Sequence, residues 1–281
     1  LTTEQTEPRP FLVRDGAAYM PTEISRGYWT PNNLNGRVVV GLLGHELEAA
    51  FGESEFQPAR LTVDMFRTPQ IAPLRVETRL VRGGGRIKVG DADIYCADVL
   101  IGRASALFLR RSQNPESPTW QPPNWNAPKP DTLPPLSRPR SWEVRQIPAG
   151  ASTYPREAGG ASAGASNNPS VLGDLTPFPA RQAWMRDIRE LIGGVPLTPF
   201  VRVALAADYA SPLTNSSEHS IDFINGDVTL YLHRLPVTDW IGFELVNHHA
   251  ADGVAVGEAW IHDEAGALGT VNVAAIAQAR R

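Results

Sequence analysis

A carboxylate that opposes its own helix is the first sign of chemistry in this sequence. The apolar run after Thr198-Pro199 predicts a helix to about Tyr209, with Thr198 capping the first turn and Pro199 at the first helical position. Asp208 then falls in the last turn, where negative charge works against the helix dipole. A group kept there at some cost to the helix can orient or deprotonate a water molecule. The competing reading is local: the carboxylate accepts N–H groups from the turn Ala210-Ser211-Pro212. Asn225 offers an amide that is both donor and acceptor, or else the polar residue of an Asn-Gly turn with Gly226. Asn35, Gly36 and Arg37 open another helix, whose free N–H groups can bind a carbonyl or a phosphate. Arg37 either contacts that ligand or lies on the surface.

Three weaker signals do not develop. Gly160-Ala161-Ser162-Ala163-Gly164 matches G-x-S-x-G, but it sits in a Gly/Ala/Ser loop with no strand before it and no helix after it. His45-Glu46 begins a zinc motif that fails at Ala49. His248-His249 would point to opposite faces of a strand. Neither a metal nor a cofactor is expected.

The elements that must position these residues occur twice. Residues 61–102 realign without a gap on residues 228–269 when 167 is added to each number, pairing Thr62 with Thr229, Arg67 with Arg234, Gly90 with Gly257 and Gly102 with Gly269. A period this long is one fold present twice, since solenoid repeats run at roughly 20–50 residues. In the first copy, Leu34 to Phe51 predicts a helix with a broad apolar face. Gly36, Gly41 and Gly44 cost that helix roughly 1 kcal/mol each, which suits close packing against a sheet. Strands are expected at 60–67, 74–82, 87–96 and 99–111, with Gly83-Gly84-Gly85 as a hairpin connection. The second copy predicts strands at 181–189, 220–234, 240–248, 254–263 and 267–277.

Nine prolines between Gln113 and Pro139 exclude helix and central strand, so 113–140 reads as an extended linker between domains 1–112 and 141–281. Residues 149–170 read as a flexible loop. With 42% hydrophobic and 20% charged residues, the chain has material for an ample core. A net charge of −4 and scattered basic residues argue against a nucleic-acid partner. A single cysteine, Cys96, favours a reducing compartment. The polar residues 1–10 are not a signal peptide, and no run approaches the roughly 18 apolar residues of a membrane span. A cytoplasmic location follows as the expectation.

Several motifs in order resemble those of the acyl-CoA thioesterase II family and its bacterial thioesterase-like relatives. These are Asn35-Gly36-Arg37-Val38-Val39, Arg181-Gln182-Ala183-Trp184-Met185-Arg186, Ala207-Asp208-Tyr209, and Asp227 to Pro236. The resemblance implies an α+β double hot-dog: two tandem antiparallel sheets, each wrapped around a central helix. It implies hydrolysis of fatty acyl-CoA or another acyl thioester, with Asp208 as the carboxylate. The family's hydroxyl position is taken here by Asn225. Its final-strand Gln is replaced by Asn272 after Thr270-Val271, or by Gln278. These departures leave a non-catalytic acyl-CoA binder as the alternative. A hydratase reading ranks last, since no His follows Asp208 until His219. One chain with both copies suffices as a monomer, and edge strands would permit homo-oligomers.

Overall fold

The computed structural model describes residues 9–27, 30, 32–136, 141–152, 181–217 and 220–278. The 160–164 tract, residues 1–8, His219 and most of the 149–170 stretch lie outside the described residues. The first half comprises β1 (Leu12–Asp15), β2 (Ala18–Pro21), α1 (Gly36–Phe51), β3 (Phe56–Met65), β4 (Leu74–Gly83), β5 (Ile87–Cys96) and β6 (Val99–Arg110). The second comprises β7 (Trp142–Gln146), β8 (Gln182–Asp187), α2 (Pro199–Ala207), α3 (Ala210–Asn215), β9 (Phe223–Asn225), β10 (Asp227–Leu232), β11 (Ile241–Ala251), β12 (Val254–Asp263) and β13 (Gly266–Ala277).

The expected pair of separate sheets is instead one. Thirteen antiparallel strands run in the order β1-β2-β4-β5-β6-β3-β10-β13-β12-β11-β8-β7, with β9 added on β13. The halves join where β3 pairs with β10, and the seam sets Thr62 opposite Thr229, its own repeat mate. Two unpaired edge strands carry rows of unused N–H and C=O groups, and pairing them along the seam satisfies both. The result is a large antiparallel sheet with few helices, consistent with a double hot-dog.

Alternation along the strands sorts the faces. In β10, Val228, Leu230 and Leu232 are buried, while Asp227, Thr229 and Tyr231 are not; in β13, Val271, Val273 and Ala275 are buried. On the apolar face, α1 lies against β3 to β6, α2 lies against α1, and α2 and α3 lie against the strands of the second half. Val38, Leu42, Leu43 and Leu47 of α1 and Phe200, Val203 and Leu205 of α2 are fully enclosed. The repeated Gly90 and Gly257 permit this contact. A Cβ on Gly90 would come within 2.3 Å of the Phe51 ring, and one on Gly257 within 2.4 Å of Thr214 Cβ. Phe51 and Thr214 each lie sixteen positions after their N-caps, Asn35 and Thr198, so α2 and α3 together copy α1.

Candidate active site at the helix junction

The break between α2 and α3 has a cause in the sequence. Pro212 lacks the N–H that would bond the carbonyl of Asp208, four residues back. Ser211 N–H takes that carbonyl instead at 3.1 Å, and Tyr209 N–H reaches Ala206 at 2.9 Å, so the turn tightens there. Asp208 is therefore the C-cap of α2, still in right-handed helical geometry (φ −64°, ψ −16°). Its carboxylate leaves its own helix for the start of the other.

There it meets the N-terminus of α1. Asn35 caps that helix, its side-chain oxygen accepting from Arg37 N–H at 3.3 Å. Gly36 lets the carboxylate close in, because a Cβ at that position would stand 3.0 Å from Asp208 Oδ2. Asp208 Oδ1 accepts from Asn225 Nδ2 at 3.2 Å. Asp208 thus opposes the dipole of α2 and is favoured by that of α1.

A β-bulge aims Asn225 at this junction. Opposite β13, Asn225 pairs with Ala275 and Thr229 with Asn272, so four steps on one strand face three on the other. The extra residue falls at Gly226, between β9 and β10, and reverses the alternation. Without it, Asn225 would share the outward side of Asp227 and Thr229. The two readings of Asn225 coexist, since its Nδ2 also lies 3.3 Å from the carbonyl of Asp227.

Two residues of this network were missed in the sequence. Ser211 donates its hydroxyl to Asn225 Oδ1 at 3.0 Å, and Asn215 Nδ2 lies 3.5 Å from that hydroxyl. The chain Asn215, Ser211, Asn225, Asp208 fixes the Asn225 amide with its NH2 toward the carboxylate. Ser211 and Asn215 follow Asp208 at helical spacing on α3, which is the one clue the sequence holds. The adjacent Tyr209 turns its ring into the core, edge-on to Phe243 with centroids 5.3 Å apart.

Electrostatics at Asp208 are opposed. Burial pushes its carboxyl above the usual range, while the Asn225 hydrogen bond, the Arg37 guanidinium and the Arg37 main-chain N–H pull it back. The residue as a whole is only half-buried. A desolvated carboxylate on a residue that is not fully enclosed suits a group that takes a proton from water.

Two expected residues are placed elsewhere. Arg37 neither lies on the surface nor presents its side chain to solvent: it is 1% exposed and ion-paired with Asp187 of β8. Its guanidinium stacks over Trp142 at 4.3 Å and Phe11 at 5.2 Å. Asn272 lies on the outer face of the sheet, directly opposite Thr229 and Glu258 and 3.5 Å from Thr270 Oγ1. Strand alternation decides this: Val271 and Val273 take the inner positions. Ala275, not an amide, is the β13 residue that faces Asn225.

The sequence matches the acyl-CoA thioesterase N-terminal domain over residues 25–109 and the acyl-CoA thioesterase C-terminal domain over residues 130–276. The chain belongs to the acyl-CoA thioesterase family. Thioester hydrolysis is the chemistry this membership supports. Among solved structures, this thioesterase-family chain is similar to an acyl-CoA thioesterase II, TesB2, from Mycobacterium marinum, with 17% identity, 96% of each chain covered and a TM-score of 0.61. A tesB protein from Mycobacterium avium subspecies paratuberculosis gives 15% identity, 95% and 96% coverage and a TM-score of 0.62. A conserved protein of unknown function with a hot-dog fold from Alicyclobacillus acidocaldarius gives 17% identity, 96% of each chain and a TM-score of 0.65. At such identities the likeness concerns the fold. No curated protein sequence matches the chain. Among the described residues, no helix is long and apolar enough to cross a membrane.

Proposed function

We propose that this chain hydrolyses acyl-CoA thioesters with a water molecule activated by Asp208. The observation that carries the reading is the placement of that carboxylate, between the N-terminus of α1 and the amide of Asn225. In this mechanism Asp208 orients the water and takes its proton as the oxygen attacks the thioester carbon. The Gly36 N–H and the side-chain NH2 of Asn35, at the start of α1, are the donors nearest the developing oxyanion, while Asn225, whose amide hydrogens go to Asp208 and the Asp227 carbonyl, holds the base. Collapse of the tetrahedral intermediate breaks the C–S bond, and the proton passes to the departing thiolate. Ser211 acts one step removed, holding the Asn225 amide. On this reading residues 1–112 and 141–281 are the two hot-dog units, each with its own central helix, and 113–140 connects them.

One observation favours a second reading, an acyl-CoA binder without turnover. Neither Asn272 nor the apolar Ala275 brings a carboxamide from β13 to Asp208. Release of free thiol from acyl-CoAs of short to long chain separates the two. Turnover by the wild type that is lost in Asp208→Asn supports hydrolysis; bound acyl-CoA with no thiol released at any chain length overturns it in favour of binding.

A further inference from the structure

Arg37 is a fully enclosed cation, and the hydrolytic mechanism makes no use of its guanidinium. It is 1% exposed, and its ion-pair partner Asp187 is enclosed with it, each of the two side chains at 1% exposure or less. The pair joins the second residue of α1 to β8 across 150 positions of sequence. Its hydrogen bonding is incomplete. Among the described residues, Arg37 Nε and Nη1 and Asp187 Oδ2 find no hydrogen-bond partner. Arg37 immediately follows the glycine against which the Asp208 carboxylate rests. In a water-poor junction the field of a cation is only weakly screened.

We infer that Arg37 is a positioning residue that holds Asp208 in its ionised, proton-accepting form, with Asp187 as the counter-charge that lets a guanidinium be buried there. The inference rests on the proposed role of Asp208 as base. The groups facing Asp208 are few. Arg37 approaches from α1, and Asp187 lies behind it on β8. Arg202 of α2 bears on Asp187 and pairs with Asp239 at 2.9 Å. Asn225 and Ser211 are uncharged, Tyr209 is held neutral by burial, and Asp227 points to the outer face of the sheet. Among these groups Arg37 is the cation on the helix whose first residue the carboxylate touches, and its charge draws the Asp208 carboxyl down.

The sign follows. Removing the cation makes Asp208 easier to protonate, so the acid limb of the rate profile moves to higher pH. Removing Asp187 alone leaves the cation and does not move the limb upward. The test is the pH dependence of kcat/KM for wild type, Arg37→Gln, Asp187→Asn and the double variant, together with a carboxyl 13C NMR titration of Asp208 in each. Arg37→Gln and the double variant should raise the midpoint by about one pH unit, the effect of one opposite charge nearby. Because the double variant buries neither charge alone, it carries the test if Arg37→Gln fails to fold. A double variant that titrates at the wild-type midpoint overturns the inference, as does an upward shift in Asp187→Asn. The NMR midpoint moves as stated even in a chain without turnover, so failure of the hydrolytic reading and failure of this one give different results.

Discussion

Asn225 spends its amide hydrogens on Asp208 and the Asp227 carbonyl, so its removal releases the base of the proposed mechanism. Asn225→Ala is expected to lower kcat by about 100-fold, the scale of a mispositioned general base. It should also shift the acid limb upward, because the hydrogen bond that favours the Asp208 carboxylate is gone. Ser211→Ala leaves Asn225 in place with its amide free to flip, and a smaller loss of about tenfold is expected with little change in KM. Steady-state kinetics at saturating acyl-CoA measures both. Asp208 was legible in the sequence because an acid at a helix C-terminus needs a reason. Its partner in α1 was legible as a helix start, but not as the reason. Ser211 was read only as part of a turn, and Asn272 faces outward because it alternates with the buried Val271 and Val273, while the bulge at Gly226 turns Asn225 inward. The pairing of Arg37 with Asp187 leaves no local trace, since it is made across 150 positions of chain.

The main strands and helices follow their patterns closely. The expected 87–96 and 254–263 strands are found with the same bounds as β5 and β12. The N-terminal hairpin of β1 and β2 and the strand β7 were missed. Each is four or five residues long, too short for a period of two to stand out. The 220–234 run divides at the bulge, a break that the Asn-Gly step hints at and tertiary pairing decides. Packing at element level yields a contrast between two glycines. Gly257→Ala sets a methyl against Thr214 Cβ and pushes α3, with Ser211, off the sheet. It should cost about 1–3 kcal/mol of stability and lower activity as well. Gly226→Ala meets nothing closer than 4.0 Å and should change stability by no more than about 0.5 kcal/mol. Urea denaturation of the two variants checks the contrast.

Across the whole molecule the two copies have diverged where it matters. Ten positions after the N-cap of α2 stands Asp208; ten positions after that of α1 stands His45. Asp208 reaches the start of α1, whereas at the start of α2 the Thr198 hydroxyl donates to the Glu48 carboxylate of α1, and burial lowers the affinity of His45 for protons. His233 and His248 are lowered in the same way, and burial takes His262, stacked on Trp125 at 4.3 Å, down to about 4. Unfolded, the histidines protonate near 6.5, so between pH 6.5 and about 4 they bind more protons in the unfolded chain than in the folded one. Their contribution to stability is therefore lost as pH falls across that window, by about 3 kcal/mol for His262. His262→Phe should lose less stability than wild type between pH 7.5 and 4.5 in urea titrations. Equal losses would show that His262 does not titrate on unfolding. Activity should fail on the acid side for a separate reason, protonation of Asp208, and so with the fold intact. The most direct test of the account is single-turnover release of free thiol from acyl-CoA by wild type and Asp208→Asn, both verified as folded. The account requires release by the wild type and its loss in the variant. Equal release by both proteins would contradict it.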